Sequence, residues 1–264
     1  MAAFARVPRE MFLGPRPWQV AAGEARAMAA LGLAGLAYRT VTDPRHLYHN
    51  VVAVPDRALD INNGQPSALA TWIGALDLKR GDRVYHMGCG AGYYTAIMAE
   101  VAGAEGGVVA IDAEADLAAR ARENLSGYPN VTVAHADGAT FDPGMCDAML
   151  INAGVTHPHG LWLDRLREGG RLAVPLTIAA TPKIGQGIMA RIERRGDGYA
   201  ASIASMLAIY SAASLRAPEL EVPLRKAVAG GALLKMKSLR RDAHEAAESC
   251  LYHTPGMCVS SLPA

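Results

Sequence analysis

The most chemically suggestive stretch of this chain is Gly88-Cys89-Gly90-Ala91-Gly92-Tyr93, directly after the apolar run Val84–Met87. Glycines at a strand-to-helix turn let the backbone bend sharply and approach a ligand without a Cβ in the way. The helix start that follows offers unpaired N–H groups. The spacing restricts the ligand. A dinucleotide turn requires a third glycine where Tyr93 stands, and a phosphate loop requires Gly-Lys-Ser/Thr, which is absent. G-x-G-x-G suits a nucleoside carrying an amino-acid tail and no phosphates, a description that S-adenosyl-L-methionine meets. The remaining readings are a glycine turn of some other α/β enzyme and a nicotinamide oxidoreductase.

Two carboxylates fall at matching places downstream. Asp112, followed by Ala113, ends the next apolar run, where it can accept hydrogen bonds from ribose hydroxyls; the competing role is a helix cap. Asp137, in His135-Ala136-Asp137-Gly138, is placed to reach an adenine amino group, or simply forms the turn. Asn152 ends a further run and walls the same space. Methyl transfer from a sulfonium needs an aligned nucleophile and excluded water. A carboxylate nucleophile needs no base, whereas a hydroxyl or ammonium group must first lose a proton. The candidate bases are His157 and His159, which otherwise read as surface or helix-entry residues. His86 either meets the amino-acid end of the ligand or is a neutral histidine satisfied by backbone. Asn63 and Gln65 orient an acceptor or make turns, Tyr48 and His49 suggest a lid, Cys89 reads as a small apolar filler and Asp147 as structural. Cys250, His253 and Cys258, with His244 upstream, have the spacing C-x2-H-x4-C, which matches no compact finger, so ordinary thiols and no metal are expected.

The elements that position these groups follow from the pattern. Ser67–Leu78, Ala91–Ala104 and Glu114–Gly127 read as helices, alternating with strands at Arg83–Gly88, Gly106–Asp112, Val131–Asp137 and Asp147–Gly154. His159–Gly170 reads as a helix before the strand Arg171–Leu176. Such alternation predicts an α/β fold: a doubly wound, mostly parallel, seven-stranded Rossmann-like sheet. Gly196-Asp197-Gly198 between two strand-like runs predicts an antiparallel C-terminal hairpin. Residues 1–40 read as largely helical and 41–67 as mostly loop. We divide the chain into an N-terminal cap (1–66), a ligand-binding core (67–215) and an extension (216–264) whose basic residues read as a solvated helix face.

Composition narrows the classes. The chain has 264 residues, 51% hydrophobic, with 26 basic against 25 acidic side chains, which excludes intrinsic disorder and a polyanion binder held by bulk charge. Four cysteines are too few for a disulfide scaffold, and no apolar run approaches a membrane span or a secretory signal. A soluble cytoplasmic protein is expected, with no nucleic-acid or membrane partner.

These segments together resemble the class I S-adenosylmethionine methyltransferases, and within them the protein-L-isoaspartate O-methyltransferase family. AFARVPREMFL is similar to that family's N-terminal segment, VYHMGCGAGYYTAIMAEV to its cofactor turn and VVAIDAEADLAARARENL to its second strand and helix. VTVAHADG, CDAMLINAG, LREGGRLAVPL and ARIERRGDGY are similar to its later strands. The resemblance spans about Phe4 to Tyr210 and implies that Gly64, Gln65, His86, Gly88, Cys89, Gly90, Gly92, Tyr93, Asp112, Ala113, Asp137, Gly138 and Asn152 line the cofactor site. Two departures stand out. His86 replaces the family's acidic residue, and Gly64 replaces a serine in a loop shorter by about four residues. The cofactor therefore carries over, while isoaspartyl specificity does not follow. The expected activity is O-methylation of a carboxylate on a peptide, protein or small metabolite. The alternatives are a small-molecule O- or N-methyltransferase with a histidine base and a cofactor binder without turnover.

Overall fold

The computed structural model describes residues 2–21, 38–54, 62–254 and 256–264. Its frame is a sheet of ten strands in the order β12-β13-β11-β10-β9-β8-β7-β4-β5-β6. The parallel part comprises β4 (Arg83–Met87), β5 (Gly107–Asp112), β6 (Val131–His135), β7 (Cys146–Ile151) and β8 (Leu166–Ala179). Helix α2 (Pro66–Ala75) leads into β4, and α3 (Tyr93–Ala102), α4 (Ala115–Asn124) and the short α5 (Gly160–Asp164) lie between these strands in sequence. The central strands are largely apolar because both faces are covered. Along β4 the side chains alternate: Tyr85 and Met87 join a core with Ile111 and Trp162, while Val84 joins one with Ile97 and Met98 of α3.

The antiparallel hairpin is β9 (Ile184–Arg195) and β10 (Gly198–Tyr210), paired from Arg195↔Gly198 to Ile184↔Tyr210. These seven strands are the expected α/β sheet. Three more, β11 (Ser238–Arg240), β12 (Cys250–Thr254) and β13 (Met257–Ser260), extend it at the β10 edge.

The extension is thus not a solvated helix face. Helix α6 (Pro218–Ala229) carries Arg225 and Lys226, but Arg240 lies on β11 and pairs with Asp242, and Arg241 pairs with Asp164. The N-terminal expectation also changes. Pro8, Pro15 and Pro17 interrupt helix, so the segment becomes α1 (Ala2–Arg6), a 3-10 turn Arg9–Phe12 and strand β1 (Trp18–Ala21). β1 pairs with β2 (Tyr38–Val41) and β3 (Val52–Val54) in a small separate sheet over Leu13, Leu47 and Val51. Most of the Ala-rich stretch expected to be helical lies outside the described residues. Finally, the helix at His159–Gly170 stops at Asp164. Leu166 already pairs with Cys146, and a register shift opposite Gly169 (φ 69°) admits the extra residues.

Candidate functional site

The carboxyl ends of β4, β5 and β6 lie side by side, which is where open α/β sheets bind ligands. After β4 the backbone reverses through Gly88, Gly90 and Gly92, at φ 75°, 55° and 94°. The N–H groups of Gly88 and Cys89 both donate to the Ile111 carbonyl, at 2.9 and 3.0 Å. A Cβ on Gly92 would lie 2.7 Å from Leu125, while one on Gly90 would meet nothing within 4 Å. Gly90 therefore faces a space that a ligand, but not a side chain on this backbone, is free to fill.

Asp112 ties the turn to the next strand. Its carboxylate accepts from the Gly90 N–H at 2.7 Å and the Glu114 N–H at 3.0 Å, and burial raises its pKa against those two bonds. Asp112 thus organises the turn that leads into α4, whose N-cap is Glu114, and it stands at the carboxyl edge with acceptor lone pairs left. Asp137 is exposed and accepts from Ala139 N–H (2.9 Å) and from the Ser214 hydroxyl (2.8 Å). A Cβ on Gly138 would lie 2.2 Å from Met87 Sδ, so glycine lets the β6 loop close against the end of β4 without displacing the Met87 side chain. Asn152 donates its amide to the Gly88 carbonyl at 3.2 Å, and its N–H to Met87 at 2.8 Å. Ala113 receives a contact from His135 Nε2 at 3.1 Å. These residues form one continuous rim.

His86 sits below that rim. It is fully buried, its Nδ1 is 2.8 Å from Thr95 Oγ1 on α3, and burial lowers its pKa to about 3. Its partner is a side chain rather than the backbone, and it is neutral at physiological pH. Cys89 is buried and burial pushes its thiol pKa up, consistent with a filler. Tyr93 is buried between Phe12 and Tyr94, with ring centroids 5.6 and 4.9 Å away.

The second wall is the loop Asn62–Gln65. Asn63 is not free to act on an acceptor through its carbonyl oxygen, which accepts from Arg9 at 2.7 Å and from the Ala53 N–H at 3.1 Å. Gly64 has φ 73°, and a Cβ there would lie 2.7 Å from Leu69, so a serine would be strained on this backbone. Gln65 precedes α2, its amide 3.5 Å from the Asn50 carbonyl. Asn62 donates to the Tyr210 hydroxyl at 3.2 Å, joining the loop to β10.

Arg9 organises this wall, and sequence reasoning missed it. Its buried guanidinium donates to the carbonyls of Leu47, Val51 and Gly64 and to Asn63, at 2.7 to 3.1 Å, and lies 5.9 Å from the Tyr93 ring centroid. Burial lowers its pKa, opposed by the nearby tyrosines, yet a guanidinium stays charged. Tyr48 bridges it, accepting from the Arg9 N–H and donating to Glu10 at 2.6 Å. Only the similarity of the N-terminal segment hinted at this region.

His157 and His159 are drawn away from the turn. After Asn152, Gly154 bridges to Ser211 and Val155 to Leu176, steering the chain toward the antiparallel strands. His157 meets Thr156 Oγ1 at 3.0 Å, and burial together with His159 lowers its pKa against Glu219. The His159 ring lies tilted against Trp162, with centroids 5.7 Å apart and an interplanar angle of 55°. Thr156 in turn accepts from Ala217 N–H and from the Tyr252 hydroxyl, both in the extension. Asp147 accepts from the Arg83 N–H and pairs with Arg167, a structural role.

Comparison with known proteins converges on one family. Residues 43–214 match the protein-L-isoaspartate(D-aspartate) O-methyltransferase (PCMT) family. Over 164 residues the chain is 35% identical to a protein-L-isoaspartate O-methyltransferase of Ignicoccus hospitalis, covering 59% of this chain and 75% of that protein. It is 34% identical over 145 residues to protein-L-isoaspartate O-methyltransferase 1 of Archaeoglobus fulgidus, covering 50% and 67%. A solved protein-L-isoaspartate O-methyltransferase shares the fold, with TM-score 0.62 and 21% identity over 86% of this chain and 63% of that one. No helix among the described residues is long and apolar enough to cross a membrane.

Proposed function

The chain belongs to the protein-L-isoaspartate(D-aspartate) O-methyltransferase family and is an S-adenosyl-L-methionine-dependent methyltransferase; from that premise we propose that it forms methyl esters on carboxylates of a peptide or protein. The cofactor, when bound, supplies an electrophilic methyl group on a sulfonium sulfur. The residues fit it. Gly90 borders open space, Asp112 offers a carboxylate for the ribose, and Asp137 stands at the next strand end for the base. Asn152 fixes the turn from the far side.

The single observation that carries the acceptor class is the placement of the imidazoles. His86 is buried and neutral beneath the turn, His157 contacts Thr156, which itself binds Ala217 and Tyr252 of the extension, and His159 lies against Trp162 of α5. A carboxylate is the acceptor that works without a base: ionised at neutral pH, it attacks in line and carries no proton to remove. Isoaspartyl peptides are expected to be weak acceptors, because Gly64 supplies no hydroxyl and its backbone resists one.

The test is methyl transfer from labelled S-adenosylmethionine to peptides bearing aspartyl, glutamyl, isoaspartyl or C-terminal carboxylates, scored as base-labile ester. Ester on a non-isoaspartyl peptide is the expected result. Asp112→Ala is expected to weaken S-adenosylhomocysteine binding about tenfold or more, roughly 1.4 kcal/mol. Transfer solely to amines or alcohols overturns the acceptor class, and unchanged affinity in Asp112→Ala overturns the ribose role.

A further inference from the structure

The sequence spacing of His244, Cys250, His253 and Cys258 suggested no metal, yet the fold assembles them. One ligand-capable atom from each of the four lies within 4.8 Å of every other. The sheet explains how. His253 pairs directly with Cys258 across β12 and β13, so both side chains leave the same face. Cys250, three residues before His253, would leave the opposite face of a regular strand. The register shift between Cys250 and Tyr252 pairs Cys250 with Ser260 and returns it to the face of His253. The loop after β11 then brings His244 over the three.

The distances and the surroundings suit a tetrahedral ion. Zinc bond lengths of about 2.3 Å to sulfur and 2.05 Å to nitrogen put a sulfur and a nitrogen ligand about 3.6 Å apart. His244 Nε2 and Cys250 Sγ are 3.6 Å apart. His244 Nδ1 lies 2.9 Å from the Asp242 carbonyl, which fixes that nitrogen as the donor and leaves the Nε2 lone pair toward the sulfur. The Ala247 N–H donates to Cys250 Sγ at 3.3 Å, a bond that favours thiolate. The rings of His244 and His253 meet edge to face at 4.9 Å, and the buried Nδ1 of His253 has no hydrogen-bond partner. Cys258 is fully buried.

We propose that His244, Cys250, His253 and Cys258 form a structural zinc site that fastens the C-terminal extension to the edge of the sheet. Two thiolates and two imidazoles select zinc over harder divalent ions. Four protein ligands leave no position for a substrate or water, so the site is structural rather than a Lewis acid. Its reach is wider than the hairpin. Tyr252, between Cys250 and His253, donates to the Thr156 carbonyl, so the same strand braces the segment that follows β7.

The experiment uses the full chain purified under reducing conditions. Elemental analysis is expected to find one zinc per chain, retained through desalting. Substitution with cobalt(II) is expected to give thiolate-to-cobalt charge-transfer bands and the intense visible absorption of a tetrahedral ion. His244→Asn, altering the ligand on the loop, is expected to lower zinc retention at least tenfold. Cys258→Ser is expected to remove one thiolate's share of the charge-transfer intensity; if it does not fold, the cobalt spectrum of the unaltered chain decides. Less than stoichiometric zinc after reduction and reconstitution, an octahedral cobalt spectrum, or a Cys250–Cys258 disulfide in its place overturns the proposal.

Discussion

The two walls of the site are built by opposite means. The cofactor wall, Gly88–Gly92 with Asp112 and Asn152, is mostly backbone: glycine conformations, N–H groups on the Ile111 carbonyl and one carboxylate across the turn. The loop wall, Asn62–Gln65, is held by side chains, with Asn62 on Tyr210 and Asn63 on Ala53, and it centres on Arg9, which reaches carbonyls of Leu47, Val51 and Gly64 that are far from it in sequence. A wall made of backbone tolerates change wherever glycine is not required. A wall centred on one buried cation concentrates its stability in that residue.

The largest expected effect follows from this contrast. Arg9→Ala leaves the carbonyls of Leu47, Val51 and Gly64 and the Asn63 amide oxygen short of a donor, and burial keeps water from replacing it. The loss is expected to be on the order of 3 kcal/mol or more in denaturant unfolding. Arg9→Lys should rescue little, since an ammonium lacks the planar fork that serves several acceptors. Under conditions where the variant remains folded, S-adenosylhomocysteine affinity should change less than the acceptor KM. Equal damage to both would mean that the two walls are one unit.

The next effect separates the walls by pH. The cofactor wall rests on the buried pair His86–Thr95, and His86 has a pKa of about 3 in the folded state against about 6.5 in an unfolded chain. Below pH 6.5 the unfolded state takes up a proton that the native state refuses. Stability should therefore fall by about 1.4 kcal/mol per pH unit as pH drops through 6.5 toward 3. His86→Gln should flatten that limb in urea titrations from pH 7 to 4.5. Arg9 stays charged throughout and contributes no such slope. An acid limb of undiminished steepness in His86→Gln would assign it to other groups.

The same contrast marks what was legible in the sequence. The glycine turn, the strand-end positions of Asp112 and Asp137 and the seven-stranded, mostly parallel sheet could be read because local spacing encodes them: strands and helices alternate, and each carboxylate follows its own strand. Arg9 could not, since its partners are carbonyls some forty to fifty residues away and carbonyls leave no trace in residue type. Leu166–Gly170 was misread as helix because Arg167 and Glu168 carry no strand signal. The pairing of Leu166 with Cys146 and the Arg167–Asp147 ion pair decide that segment. The metal-ligand cluster stayed hidden because one strand irregularity, between Cys250 and Tyr252, sets which face Cys250 occupies.

The smallest expected effect tests where the two walls end. If His157 and His159 serve packing, His157 against Thr156 and His159 against the Trp162 ring of α5, neither is part of the reacting wall. His157→Gln keeps a polar group beside Thr156 and should leave kcat for a carboxylate acceptor within about twofold, since losing a true general base costs on the order of 100-fold or more. His159→Gln should behave alike, with a modest stability loss from the lost ring contact with Trp162. The pH profile of kcat in both variants should superimpose on that of the unaltered chain, because a carboxylate acceptor requires no imidazole to titrate. A hundredfold fall in kcat, with the acidic limb of the profile displaced, would move the reacting wall to the end of β7 and point to an acceptor that must lose a proton.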